Sequence, residues 1–226
     1  MWLAPIPWAK RHWALPVLTV LAPSKRYYQR LGKTPKKLSG WARQMIIQLR
    51  RWLPHRALVI VADSSYAVLD LLHFCQSLSN PVTFITRLRL DAALYEPAPS
   101  RCPGKIGRPR LKGKRLPTLQ QLLNHPETVW TKVTVAWYDG AVRVLEIASD
   151  TAVWYHSGKP PVPIRWVLIR DPLDELSPQS LLCTDQSVES IQIIEWFVLR
   201  WQLEVTFQSF RGRTRAPGSG NTAPMV

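Results

Sequence analysis

Phe197, Arg200, Glu204 and Arg211 stand at successive spacings of three, four and seven. At about 3.6 residues per turn this puts an aromatic, two bases and a carboxylate on one side of a helix. A carboxylate held between two cations suits a metal-binding or phosphate-handling acid. The same spacing also describes a solvated helix face laced by ion pairs, so by itself it leaves both readings open. The second candidate acid is Asp63. The apolar run Ala57-Leu-Val-Ile-Val-Ala62 predicts a buried strand and stops abruptly at Asp63-Ser-Ser-Tyr66. Asp63 would then sit at the carboxyl end of a strand, where α/β sheets place ligands and chemistry. A competing reading makes it the N-cap of a helix that begins near Ser65. Asp63 and Glu204 are the only acids framed in this way by a strand end and a helix. Phosphodiester cleavage by two metal ions needs carboxylates that hold the ions about 3.5 to 4 Å apart. Such oxygen ligands suit magnesium or manganese.

The elements that must position these acids can be read along the chain. Trp13 to Leu21 predicts a strand, and Lys25-Arg-Tyr-Tyr-Gln-Arg30 a basic, aromatic loop. Thr34-Pro35 resembles a helix start, and Leu38, Trp41, Met45, Leu49 and Trp52 give that helix an apolar stripe before Pro54 ends it. Its other face carries Lys37, Arg43, Arg50 and Arg51, which either serve solubility or contact phosphate. A helical period follows over Tyr66 to Leu78, then a strand over Pro81 to Arg89. Residues 90 to 110 are broken by Pro97, Pro99, Pro103 and Pro109. Val133 to Val144 predicts a hairpin turning at Asp139-Gly140, and Ile164 to Arg170 a further strand. The order of elements is that of an α/β core with a β-rich stretch between Asp63 and the Glu204 helix.

Composition narrows the partners. Thirty Lys and Arg against fifteen Asp and Glu give the 226-residue chain a formal charge of +15, which points to a polyanion and foremost to nucleic acid. The bases are concentrated: residues 1–62 hold twelve Lys and Arg and no acid. Gly107-Arg-Pro-Arg-Leu-Lys-Gly-Lys-Arg115 is the densest stretch, with five bases in nine residues, and predicts either phosphate contacts from a flexible loop or a merely solvated one. No uninterrupted apolar run is long enough to cross a membrane. Lys10-Arg11 followed by Trp13 to Pro23 loosely mimics a secretory leader, but two prolines and the lack of a cleavage signal argue against one. Cys75, Cys102 and Cys183 form neither a disulfide framework nor a zinc pattern, and suit a reducing cytoplasm. The five histidines show no metal-ligand spacing.

A strand-end carboxylate, a long intervening segment and a helix-borne Glu between bases resembles the DDE-type insertion-sequence transposases. The closest likeness is to the group with a Tyr-x2-Arg-x3-Glu-x6-Lys signature around the last acid. Arg200 and Glu204 match it, while Phe197 stands for the Tyr and Arg211 for the Lys. The likeness is general from about Trp2 to Arg211 and specific at Asp63 and at 197–211. It implies an α/β fold: a partial ribonuclease-H-like core, with a mixed sheet and flanking helices, interrupted by a β-rich insertion. Residues 1–89 would form the first part of the core and 90–185 the insertion with its basic loop 107–115. Residues 186–211 would form the core helix carrying Glu204, and 212–226 a disordered tail.

The resemblance also implies transposition, by two-metal cleavage and strand transfer on DNA. Asp63 and Glu204 would be the catalytic acids and the ligands of magnesium or manganese. Arg200, Arg211, Arg108, Arg110, Lys112, Lys114 and Arg115 would contact the DNA. The implied partners are transposon-end DNA and a second copy in a homodimer, in the cytoplasm and without a membrane. One departure matters: such a site needs three acids, the first on an upstream strand, and no acid precedes Asp63 in this sequence. After Arg211 no helical period continues. The expectation is therefore a pseudogene-like transposase fragment, inactive for want of the first Asp and binding metal weakly or not at all. Asp139, Asp185 or an acid from a second subunit are the candidates to complete the site. The alternative is a noncatalytic basic nucleic-acid-binding protein.

Overall fold

The structure, a computed structural model, describes residues 1–6, 8, 11–100, 107–137 and 141–201. Glu204, Arg211, Cys102, Asp139, Gly140 and the tail 212–226 lie outside these residues. The chain divides into two units, one holding Met1–Thr19 and the chain from Leu199 onward, the other Val20–Val198. In the first unit, β1 (Trp2–Ile6) and β2 (Arg11–Leu15) pair antiparallel, from Trp2 opposite Leu15 to Ile6 opposite Arg11. The strand expected over Trp13 to Leu21 thus begins earlier and stops before Pro16, which has no N–H for a ladder. Pro5 hides β1 from a sequence reading, because a proline inside a run marks at most an edge strand.

The second unit opens with α1 (Lys25–Arg30) and α2 (Leu38–Trp52). Next come β3 (Val59–Val61), a 3₁₀ turn at Ser64–Tyr66, α3 (Leu69–Gln76), β4 (Thr83–Leu88) and β5 (Leu94–Tyr95). The unit continues through α4 (Leu119–Asn124), β6 (Thr131–Ala136), β7 (Val142–Trp154), β8 (Val162–Arg170), β9 (Gln179–Cys183) and α5 (Ser190–Leu199). The basic segment expected as a loop is instead the helix α1. Ser24 starts it by accepting a hydrogen bond from the Tyr27 N–H, and Gly32 stops it at a φ of +61°. The expected hairpin is present as β6 and β7, with Ala136 opposite Val142.

Seven strands make one mixed sheet in the order β3-β4-β9-β8-β7-β5, with β6 also pairing to β7. Only β3 and β4 run parallel; the other pairs are antiparallel. β7 is long enough to exchange partners: β6 lies along Val142–Ile147 and β5 along Val153–Trp154, while β8 covers the opposite edge from Glu146. Alternation along the strands gives the sheet two apolar faces. Phe84, Leu88, Ile164, Trp166 and Leu168 face α2, α3 and α4 through Ile46, Leu71, Leu72 and Leu119. Ile85, Val167, Ile169, Leu181 and Cys183 face α5 through Ile193, Ile194, Phe197 and Val198. A mixed sheet with helices on both faces is what the resemblance implied for this chain.

Candidate functional site

Asp63 lies just past β3, and the Ala62 N–H still donates to the Ile85 carbonyl at 2.9 Å, so the parallel ladder with β4 holds up to the acid. The backbone there is fixed from two sides. The Asp63 carbonyl accepts from the Tyr66 N–H at 3.0 Å and from the hydroxyl of Thr86, a residue buried in the sheet, at 2.9 Å. The carboxylate itself is exposed, and among the described residues its one contact is the Ser64 hydroxyl at 3.5 Å, the outer limit of a hydrogen bond. Asp63 does occupy the N-cap position of the 3₁₀ turn, yet its side chain makes no capping bond. Capping therefore does not account for the carboxylate.

Other acids are tied into the fold. Asp70 pairs with Lys159, Asp91 with Arg89, and Glu146 with Arg170 at 2.8 Å. Arg143 holds both Asp171, at 2.8 Å, and Glu175, at 3.0 Å. The Arg89 hydrogen bond keeps the Asp91 carboxyl below its usual range, as an adjacent cation should. Asp185 accepts from the Ser187 N–H and hydroxyl, and follows β9 at the wrong end of the sheet to complete a site with Asp63. Cys183 lies opposite Ile85, so Asp185 falls beside Thr83, whereas Asp63 falls beside Arg87 when the β3 register is continued. Four residues of strand at about 3.3 Å each separate the two positions by ~13 Å. Asp139 lies outside the described residues.

A base that sequence reasoning passed over stands closer. Arg87 is exposed, on the α5 side of β4, and its guanidinium lies over the Phe197 ring at 5.6 Å from the centroid. Its signal was present in Thr86-Arg87-Leu88-Arg89, but only the parallel register of β3 and β4 aligns it with Asp63. Phe197 is 4% exposed and belongs to the core under α5. The helix expected to run through 197–211 has its last described residue at Leu199, with Arg200 and Trp201 in a turn beyond it. Glu204 and Arg211 lie outside the described residues, and among the described residues no group of three or more metal-ligating side chains occurs. Asp63 alone offers one hard oxygen donor, which fits a single ligand position of magnesium or manganese.

The basic stretch at 107–115 is less loop-like than its composition suggested. Its last residues lie antiparallel to the end of β5: the Gly113 N–H donates to the Glu96 carbonyl at 2.8 Å, the Glu96 N–H to Lys114 at 2.9 Å, and the Leu116 N–H to Leu94 at 2.9 Å. Gly113 is required, since a Cβ there would meet the Pro97 carbonyl at 2.6 Å and the Glu96 Cβ at 2.8 Å. Lys112 lies 3.4 Å from the centre of the Tyr95 ring and 4.5 Å from that of Tyr155, so it is a packing contact. Arg108, Arg110, Lys114 and Arg115 are exposed. β5 and β3 are opposite ends of the strand order, five spacings apart. At about 4.8 Å per spacing β5 stands ~24 Å from β3, and the basic stretch is a further row paired to β5, so it and Asp63 do not form one pocket.

Among the described residues no helix is long and apolar enough to cross a membrane. A family model described as DDE superfamily endonuclease matches residues 1–161. No curated protein matches the chain.

Proposed function

Because the chain belongs to the DDE superfamily endonuclease family, whose substrate is DNA, we propose that it is part of an insertion-sequence transposase that handles transposon-end DNA. The observation that carries this reading is Asp63: its backbone is fixed through Thr86 and Tyr66, while among the described residues its carboxylate meets only the Ser64 hydroxyl, at 3.5 Å. Asp63 and Glu204 would hold magnesium or manganese, and such ions, when bound, polarise the phosphodiester and lower the pKa of attacking water. The chain's own part is to present the acids and grip the backbone. Thr86 fixes where the Asp63 carboxylate can point. Arg200 and Arg211 flank Glu204 and neutralise phosphate charge beside it. Arg108, Arg110, Lys114 and Arg115 hold the duplex at a distance from the acids, and Lys112 keeps their segment on β5.

In this reading the 226 residues taken alone bind DNA without cutting it, because two acids do not hold a pair of ions. Removal of one electrostatic element commonly costs about 10² to 10³ in rate. A cleavage assay on end-bearing DNA with magnesium or manganese, run beside Glu204→Ala, tests the reading. No cleavage is expected; cleavage that Glu204→Ala abolishes would mean that another acid completes the site. Manganese binding followed by electron paramagnetic resonance should be weak and lost in Asp63→Asn. Binding that survives that change would remove Asp63 from the metal site. The second reading, a noncatalytic nucleic-acid-binding protein, draws support from the separation of the basic stretch, paired to β5, from Asp63 beside β3, five strand spacings or ~24 Å from β5. DNA binding that is indifferent to both metal and Asp63 favours it.

A further inference from the structure

We propose that α1 is a second DNA-docking surface, which grips the phosphodiester backbone through Arg26 and Arg30 with Tyr27 beside them. The inference rests on the DNA reading above but on a different part of the molecule. α1 has defined ends, with Ser24 capping its start and Gly32 its finish, yet none of its residues is buried. A six-residue helix is far too short to persist on its own signals, so an ordered helix that contributes nothing to the core calls for a surface outside this chain. Charge says what that surface is. Lys25, Arg26, Arg30 and Lys33 lie in a region without an acid, since none precedes Asp63. Among the described residues none of these four bases makes an ion pair, a carbonyl contact or a ring contact.

The helix also arranges its bases in a usable way. Arg26 and Arg30 are four apart and share a face, where like charges repel each other unless an anion lies between them. Tyr27, 52% exposed, and Leu31, 50% exposed, form the neighbouring row. Arginine with a tyrosine hydroxyl beside it is a common phosphate-contacting set, and it reads no sequence. The partner is therefore the DNA backbone, held without base preference.

The full chain should be titrated with a duplex of arbitrary sequence at several salt concentrations. In Arg26→Ala/Arg30→Ala the log-log salt slope should fall by about 1.8, from about 0.9 per phosphate, with affinity at 0.1 M salt reduced about tenfold or more. The thermal unfolding midpoint should not change, because Arg26 and Arg30 are exposed and no residue of the helix is fully buried. The comparison variant replaces Arg108, Arg110, Lys114 and Arg115 by Ala. If it flattens the slope while the α1 variant binds as the parent does, the α1 surface is wrong and the DNA reading stands. If the parent itself does not bind duplex, the DNA reading fails and takes this proposal with it. A lowered unfolding midpoint in the α1 variant would show that the fold uses the helix, which overturns the proposal. So would unchanged DNA binding with loss of co-sedimentation on phosphatidylserine vesicles, which would assign the surface to a membrane.

Discussion

α1 and α2 are adjacent in the chain, both basic and both aromatic, yet the fold treats their charges in opposite ways. On α2 two of the three bases, Arg43 and Arg50, are bound into the structure, while Arg51 is exposed. Arg50 donates to the carbonyls of Leu53, Arg56 and Pro81 at 3.2, 2.7 and 3.1 Å and so ties the end of the helix to the loop before β4. Arg43 lies over Phe74 of α3, 4.4 Å from the ring centre, and Lys36 lies over Trp41 at 4.0 Å. On α1 no base has such a partner. A net charge of +15 therefore overstates what is available to a polyanion, and packing decides which cations remain free.

The comparison breaks most readily at Arg50. Arg50→Ala should destabilise the protein by about 3 kcal/mol, at roughly 1 kcal/mol for each lost hydrogen bond, measured by urea unfolding. Its effect on the salt slope of DNA binding should be absent. A slope lowered by about 0.9 would move Arg50 into the phosphate-contacting group.

A pH titration probes the core on both faces of the sheet. Burial pushes the thiol of Cys75 up to about 12, against a smaller downward pull from Arg43, and burial pushes Cys183 up to about 12 as well. A thiol whose folded pKa is raised favours the fold fully below its unfolded value of 9.0, and that contribution is lost as pH rises from there towards 12. Stability should fall by about 1 kcal/mol per thiol by pH 10, an order-of-magnitude figure from one pH unit. Cys75→Ala and Cys183→Ala should each remove part of that fall. An unchanged alkaline limb in both would show that the thiols are not the groups responsible.

The basic stretch repeats the contrast within a few residues. Lys112→Ala should cost about 1 kcal/mol of stability through its lost ring contacts, with no change in salt slope. Lys114→Ala should lower the slope by about 0.9 with stability unchanged. Exchange of these two outcomes would reverse their roles. The smallest expected effect is at Lys36→Ala, about 0.5 kcal/mol from its exposed stacking on Trp41.

Sequence made some of this legible. β4, β8 and the β6–β7 hairpin could be read because apolar alternation and a turn signal agree with the fold. The second half of β7 could not, because Ser149, Asp150 and Thr151 interrupt its apolar run while their backbone continues the pairing with β8. α1 cannot be told from a loop by its sequence, because a helix with no fully buried residue leaves no apolar stripe. Asp63 could be read because an apolar strand ends so abruptly there. Thr86 and Arg87 could not, since they join the site only through a parallel register that local pattern does not specify. The likeness at 197–211 points to the family that residues 1–161 match, but Arg200 and Glu204 lie beyond that match and Glu204 lies outside the described residues.

The close approach at Gly113 bears on how this segment can change over generations of drift or in a designer's hands. Its exposed bases can be exchanged one at a time with only a graded loss of affinity for a polyanion. A side chain at 113 meets the Pro97 carbonyl, just past β5, at 2.6 Å, so the same small change there dislodges the whole row at once. Where copies of such a chain decay, the charges can fade gradually while the glycine is either kept or lost together with the row's alignment. A library that varies 107–115 should therefore leave this one position fixed.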